Sequence, residues 1–207
     1  ADIEVAFTSQ PTGRFIPHHF TMVENTAGSL ASSCPGGNLY SGETTTWGLA
    51  PEFIITALNS SDDITTNYTE LGYQKLTRDM ITSQLNTPTS DTTQRGTDSN
   101  LLDISYTPQN ATLSTVSDGE MSYLFNQNDE FIYTRSSVAE VAPFRPDLDF
   151  SFPDDLQDSD GVTVDSMINF KPDTSAIWLR YGRLWVEDTY GPETKDLVMP
   201  LRTEYFD

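Results

Sequence analysis

Hydrophobic positions along the chain recur with a period of two, in short runs separated by turn residues. Residues 52–58 (Glu-Phe-Ile-Ile-Thr-Ala-Leu) form the clearest run, continuously apolar as in a strand buried on both faces or at the centre of a sandwich. Strands are also expected at 3–7, 21–24, 64–68, 101–106, 111–116, 120–125, 130–135 and 147–152. Turn chemistry separates many of them: Gln10-Pro-Thr-Gly13, Asn59-Ser-Ser-Asp-Asp63, Pro108-Gln-Asn110, Ser117-Asp-Gly119 and Asn126-Gln-Asn-Asp129. One helix is predicted at 73–84, with Leu76, Met80 and Ile81 on one face. Residues 25–46, around Cys34-Pro-Gly-Gly37, and residues 86–100 are polar and read as long loops. The chain closes on two alternating segments, 177–187 and 201–206, joined by the turn residues Thr189-Tyr-Gly-Pro-Glu-Thr194. Leu184 and Val186 point one way; Arg183, Trp185 and Glu187 point the other. A strand so well formed at the terminus suggests that the natural polypeptide continues.

Regular short strands with turns between them are the signature of an antiparallel sandwich or barrel; the fold expected is an all-β, antiparallel β-sandwich, and the strand at 52–58 with its turn resembles immunoglobulin-like repeats. The predicted division is a sandwich over residues 1–142, a Pro-flanked hinge at Val141-Ala-Pro-Phe-Arg-Pro146, and terminal strands over 143–207. Those terminal strands either complete the sandwich or form a small second β unit.

The chain has 207 residues, enough to enclose a core without crosslinks. Its 31 acidic and 11 basic residues give a net charge of −20, which disfavours nucleic acid and anionic membrane surfaces as partners. No apolar run approaches the roughly 20 residues needed to span a bilayer, so direct membrane insertion is not expected. The start, Ala1-Asp-Ile-Glu4, lacks the basic and apolar segments of a signal peptide. The single thiol, Cys34, has no internal disulfide partner and no neighbouring cation or histidine to activate it.

The acidic loop at 154–165 is the best site candidate. Asp158-Ser-Asp-Gly161 puts two carboxylates on alternate residues before a glycine, and hard oxygens in a tight loop suit calcium. The expected ligands are Asp154, Asp158, Asp160 and Asp165, with an ordinary Asp-Gly turn as the competing reading. It is not an EF-hand: aligned on Gly161, the first and last ligand positions hold Leu156 and Met167. His18 and His19 are the only histidines; adjacent on a strand, they point to opposite faces and are unsuited to sharing a metal. Trp178, Tyr181 and Trp185 could stack on sugar rings, or fill the core. There is no nucleophile elbow, no His-Glu-x-x-His and no phosphate loop, so an enzyme is not expected.

Three segments carry a family resemblance: Gly13-Arg-Phe-Ile-Pro-His-His-Phe20, the run 53–68 (Phe-Ile-Ile-Thr-Ala-Leu-Asn to Thr-Thr-Asn-Tyr), and the terminal motif from Arg180-Tyr-Gly-Arg-Leu184 to Met199-Pro-Leu-Arg-Thr-Glu-Tyr-Phe206. In this order they resemble an uncharacterised region of MshQ-type proteins, large secreted proteins encoded with the MSHA (mannose-sensitive haemagglutinin) type IV pilus of Gram-negative bacteria. The resemblance implies an extracellular, cell-surface or periplasmic module without catalytic residues, within a longer chain. Its expected partners are other domains of the same polypeptide, pilus or cell-surface components, and glycans. The function expected is a structural spacer that displays a binding domain, with calcium as a candidate stiffener. A carbohydrate-binding module using the terminal aromatics is the alternative, and a glycoside hydrolase the third reading.

Overall fold

The computed structural model describes residues 16–96, 99–135, 140–192, 194 and 196–205. The expected opening strand at 3–7 and the turn at 10–13 lie outside them. Strands occur in chain order as β1 (His19–Thr26), β2 (Ser29–Leu30), β3 (Asn38–Tyr40), β4 (Thr44–Thr45), β5 (Trp47–Leu49), β6 (Glu52–Leu58), β7 (Ser90–Arg95) and β8 (Leu101–Thr107). There follow β9 (Thr112–Ser117), β10 (Glu120–Leu124), β11 (Glu130–Tyr133), β12 (Phe150–Phe152), β13 (Ile168–Phe170), β14 (Trp178–Arg180), β15 (Gly182–Val186) and β16 (Leu201–Tyr205). The one α-helix described, α1 (Arg78–Gln84), precedes β7.

The fold is all-β and sandwich-like. One four-stranded antiparallel sheet runs β1-β6-β10-β9 and the other β4-β11-β8-β7. Strand β6 is central in the first sheet because its alternation supplies a continuous inner face: Phe53, Ile55 and Ala57 are buried, while Ile54 and Thr56 are half-buried. The antiparallel ribbon β12-β13 lends its phenylalanines to both sheets. Phe170 and Phe152 meet Phe53 edge-on at 4.8 and 5.2 Å, and Phe150 meets Phe131 at 6.3 Å. Trp47 closes the cluster against Phe131 at 4.6 Å. Each such ring contributes about 1.5–3 kcal/mol by burial, and edge-to-face pairing adds about 0.5–1.5 kcal/mol per pair. Phe144, Leu148, Ile177 and Leu179 belong to the same cluster.

Four expectations need correction. Residues 25–46 are not one long loop but contain β2, β3 and β4, each only two or three residues long, with partners distant in sequence. Residues 86–100 contain β7, a polar strand whose pairing with β8 shifts register. The segment after β6 returns by a single bridge, Leu58 to Ile64, and then turns through a 3-10 helix at Thr66–Thr69. The helix starts at Arg78, not 73. Thr77 caps it by accepting from the Met80 amide, and the Lys75 and Leu76 amides instead donate to the Tyr68 hydroxyl.

The Cys34-Pro-Gly-Gly37 loop gains a structural role. Gly37 has φ +76°, and a Cβ there would lie 2.0 Å from the Ala176 carbonyl oxygen. The bare backbone lets the Trp178 amide donate to the Gly37 carbonyl at 2.8 Å and leads β3 into parallel pairing with β14.

Candidate functional site

The acidic loop folds back on itself. The Asp158 amide donates to the Val162 carbonyl at 3.0 Å and Val164 to Leu156 at 3.0 Å, while Gly161 takes φ +81° at the bend. Asp158 is buried under this turn. Its Oδ1 accepts the Asp160 and Val162 amides at 2.9 and 3.1 Å, and its Oδ2 accepts the Tyr68 hydroxyl at 2.8 Å. Tyr68 in turn accepts the Leu76 amide at 2.8 Å. A carboxylate with this many protein donors is an anchor joining the acidic loop, the 3-10 helix and the approach to α1. Burial, and then the bond to Asp158, push the Tyr68 phenol well above its ordinary value.

Asp154 and Asp160 are exposed. Asp165 Oδ2 lies 3.3 Å from His19 Nε2, and Asp62 Oδ1 lies 3.4 Å from the same nitrogen. His19, the first residue of β1, is buried, and His18 just before it is exposed. Their Nδ1 atoms nevertheless approach to 3.0 Å, edge to face. Among the described residues, no three or more His, Cys, Asp or Glu side chains are grouped to hold a metal ion.

Two further buried carboxylates repeat the arrangement at Asp158, and sequence reasoning missed both. Asp91 Oδ2 accepts the Tyr133 hydroxyl at 2.7 Å and the Asp147 amide at 2.8 Å, and its Oδ1 accepts the Thr93 and Gln94 amides. Asp129 Oδ2 accepts the Tyr106 hydroxyl at 2.7 Å and the Trp47 indole at 3.0 Å, and its Oδ1 accepts the Gln109 amide at 2.7 Å. Burial is the main cause raising both phenols; Asp129 and Asp91 add to it. The available signal was local: Asp91-Thr-Thr-Gln94 and Asn126-Gln-Asn-Asp129 are Asx-turn sequences. All three buried aspartates accept backbone amides and a tyrosine hydroxyl and hold turns in place.

The three aromatics proposed to bind sugar do not form one open platform. Tyr181 is buried, with the Arg135 guanidinium 5.2 Å from its ring centroid. Trp178 is exposed, with Arg145 at 4.6 Å. Trp185 is exposed between Arg183 at 5.6 Å and Arg202 at 5.7 Å. Each of the three rings thus has an arginine within cation–π range. Beside them, a cavity of ≈ 350 Å³ lies between Tyr40 and the base of the β15-β16 ribbon, lined also by Gly182, Arg183, Leu184, Thr203 and Glu204.

The ribbon is tied to the body at this base. The Ser41 amide donates to the Arg180 carbonyl at 3.0 Å, and Arg180 Nε donates to Asn38 Oδ1 at 2.7 Å. Arg183 bridges Glu140 at 3.1 Å and Glu204 at 2.9 Å. No helix of the described residues is long and apolar enough to cross a membrane.

No curated protein and no solved structure matches the sequence. Residues 2–177 match the family model for DUF6701, third domain, and residues 180–207 the model for DUF6701, fourth domain; the chain belongs to the DUF6701 family.

Proposed function

We propose that this chain is a non-enzymatic structural module that spaces and orients a binding domain in a secreted bacterial surface protein. The observation that carries the reading is the junction between its two family units. There β14 pairs in parallel with β3, Tyr181 is buried, and Arg183 joins Glu140 of the body to Glu204 of the ribbon. A stiff junction between consecutive units suits a spacer, which must transmit orientation. The use of the buried aspartates as turn anchors supports the same reading. The terminal motif supports an MshQ-type parent encoded with the MSHA pilus, and hence a Gram-negative cell surface or periplasm. Partners would then be neighbouring domains of the polypeptide and pilus or surface components. Calcium would be an accessory stiffener at most, because Asp158 already has its donors within the protein.

Spin labels on Ser60→Cys and Asp188→Cys, in a Cys34→Ser background, test the junction. One narrow distance distribution by pulsed electron resonance is expected, and Arg183→Gln should broaden it. A distribution already broad in the parent would overturn the spacer reading. Glycan-array binding that disappears with Trp185→Ala would replace it with the carbohydrate-binding reading. Glycosidase activity abolished by changing one carboxylate would replace it with the hydrolase reading.

A further inference from the structure

Strand alternation does not separate the two histidines, because β1 begins at His19 and His18 lies before it. Their Nδ1 atoms approach to 3.0 Å, with the ring planes 89° apart. The far edge of the buried ring is held from two sides: His19 Nε2 lies 3.4 Å from Asp62 and 3.3 Å from Asp165. Those carboxylates come from separate loops. Asp62 sits in the turn after β6 at φ +63°, its amide donating to the Asn59 carbonyl at 3.1 Å. Asp165 ends the acidic loop, its amide donating to the Phe20 carbonyl at 3.0 Å. Two carboxylates at one ring nitrogen favour the imidazole proton there, which leaves the His19 Nδ1 lone pair turned toward His18. A carboxylate behind the ring is the usual support of a metal-binding imidazole, because it fixes the tautomer and the ring orientation. His18 is exposed and lines a cavity of ≈ 460 Å³ together with Asn59, Ser60 and Asp160, so water reaches the pair.

We propose that the two Nδ1 atoms chelate one copper(II) ion, with water in its remaining positions. The separation selects the metal. With metal–nitrogen bonds of about 2.0–2.1 Å, nitrogens 3.0 Å apart subtend about 90–97° at the ion. That is the cis angle of a square-planar or tetragonal ion, and it falls short of the tetrahedral angle that zinc adopts. Copper(II) takes tetragonal nitrogen and oxygen sets and heads the affinity order of the first-row divalent metals. Calcium takes oxygen ligands, so this site is distinct from the calcium reading of the acidic loop. Among the described residues no third His, Cys, Asp or Glu side chain completes the set, which is why water fills it. On binding, the His18 proton moves from Nδ1 to Nε2; both Nδ1 lone pairs then face the ion and neither ring changes charge. The site does not depend on the spacer reading.

The test is a titration of copper(II) chloride into the 207-residue chain in a non-coordinating buffer, followed by calorimetry and pulsed electron resonance. One ion per chain is expected, with an echo-modulation spectrum of two coupled imidazoles. The parent spectrum decides without any variant: a one-imidazole signal, or none, marks an adventitious ion only and overturns the inference. His18→Gln, at an exposed position, should weaken binding about tenfold or more and leave one imidazole in the spectrum. A spectrum unchanged by that substitution would overturn the inference as well. Asp62→Asn with Asp165→Asn should weaken binding about tenfold while both imidazoles remain, since these carboxylates only position His19. Calcium in large excess should leave the copper signal unchanged. Displacement by calcium would assign the ion to the carboxylates and count against the histidine pair, and none of these outcomes bears on the spacer reading.

Discussion

A tyrosine hydroxyl meeting a buried aspartate is the recurring unit at the scale of single residues. Tyr68–Asp158, Tyr106–Asp129 and Tyr133–Asp91 each join positions far apart in sequence, the first pair separated by 90 residues. The aspartate collects turn amides on one side and the phenol on the other, so removing either partner strands the rest. Tyr68→Phe should lower stability by about 1–3 kcal/mol in urea denaturation, the cost of leaving buried acceptor and donor groups unmatched. The loss should be the same in calcium and in chelator, because the substitution disrupts an anchor. If calcium raises the parent's midpoint and Asp158→Asn removes that rise, Asp158 is a metal ligand after all. The Asp158-Ser-Asp-Gly161 motif was visible in sequence, but its partner Tyr68 was not. Acidic spacing describes how oxygens are distributed along a loop, and only packing decides whether they turn outward to a cation or inward to a phenol.

Strands were the most legible level of element. The run at 52–58 matches β6, and the four segments between 101 and 135 match β8 to β11 to within about two residues, the usual spread of an assigned boundary. Alternation and local turn residues suffice where both halves of a pair lie close in the chain. The β9-β10 hairpin is an example: Gly119 takes φ +80° and the register shifts directly after Glu120. A Cβ at Gly119 would come within 2.5 Å of Ile64 Cγ2 and 2.9 Å of the Thr65 carbonyl oxygen. Gly119→Ala should therefore destabilise by more than about 1 kcal/mol, since strain and contact both oppose it. Equal midpoints of parent and variant in urea would refute this account. The short strands β2, β3 and β4 were illegible for the opposite reason. Two or three residues carry no period, and a strand whose partner is β14 or β11 exists only once that partner is in place.

For the whole molecule, ionisation sets the pH range of stability. Asp147 is held below its ordinary value by the bond from Lys171 and then by Thr92; Glu52 is lowered by Ser122 and then by Asn25. Lowered carboxyls stabilise the fold above their unfolded values, near 4, and that contribution is lost as pH falls through the folded values. Acidification also relieves the repulsion of a −20 chain, which works against the loss. The alkaline side is the cleaner test. Tyr68, Tyr106 and Tyr133 are all raised, so the unfolded chain releases their protons first. Their contribution is complete below about pH 10, the value in an unfolded chain, and declines as pH rises above it. The urea midpoint should fall above pH 10, and Tyr133→Phe should reduce the slope of that fall. A flat midpoint through that range would contradict the burial of these phenols.

Much of this protein is written in local pattern. The all-β class, the central strand, most turns and the amphipathic terminal pair follow from side-chain alternation and from residues suited to turns, which are properties of neighbours in the chain. The joining of two family units at β3 and β14, the inward position of Asp158, and the approach of Arg145 to Trp178 depend on residues brought together from more than 30 positions apart. Such contacts arise only when the aromatic core assembles, because burial there determines which polar groups lose water and must find a partner within the fold.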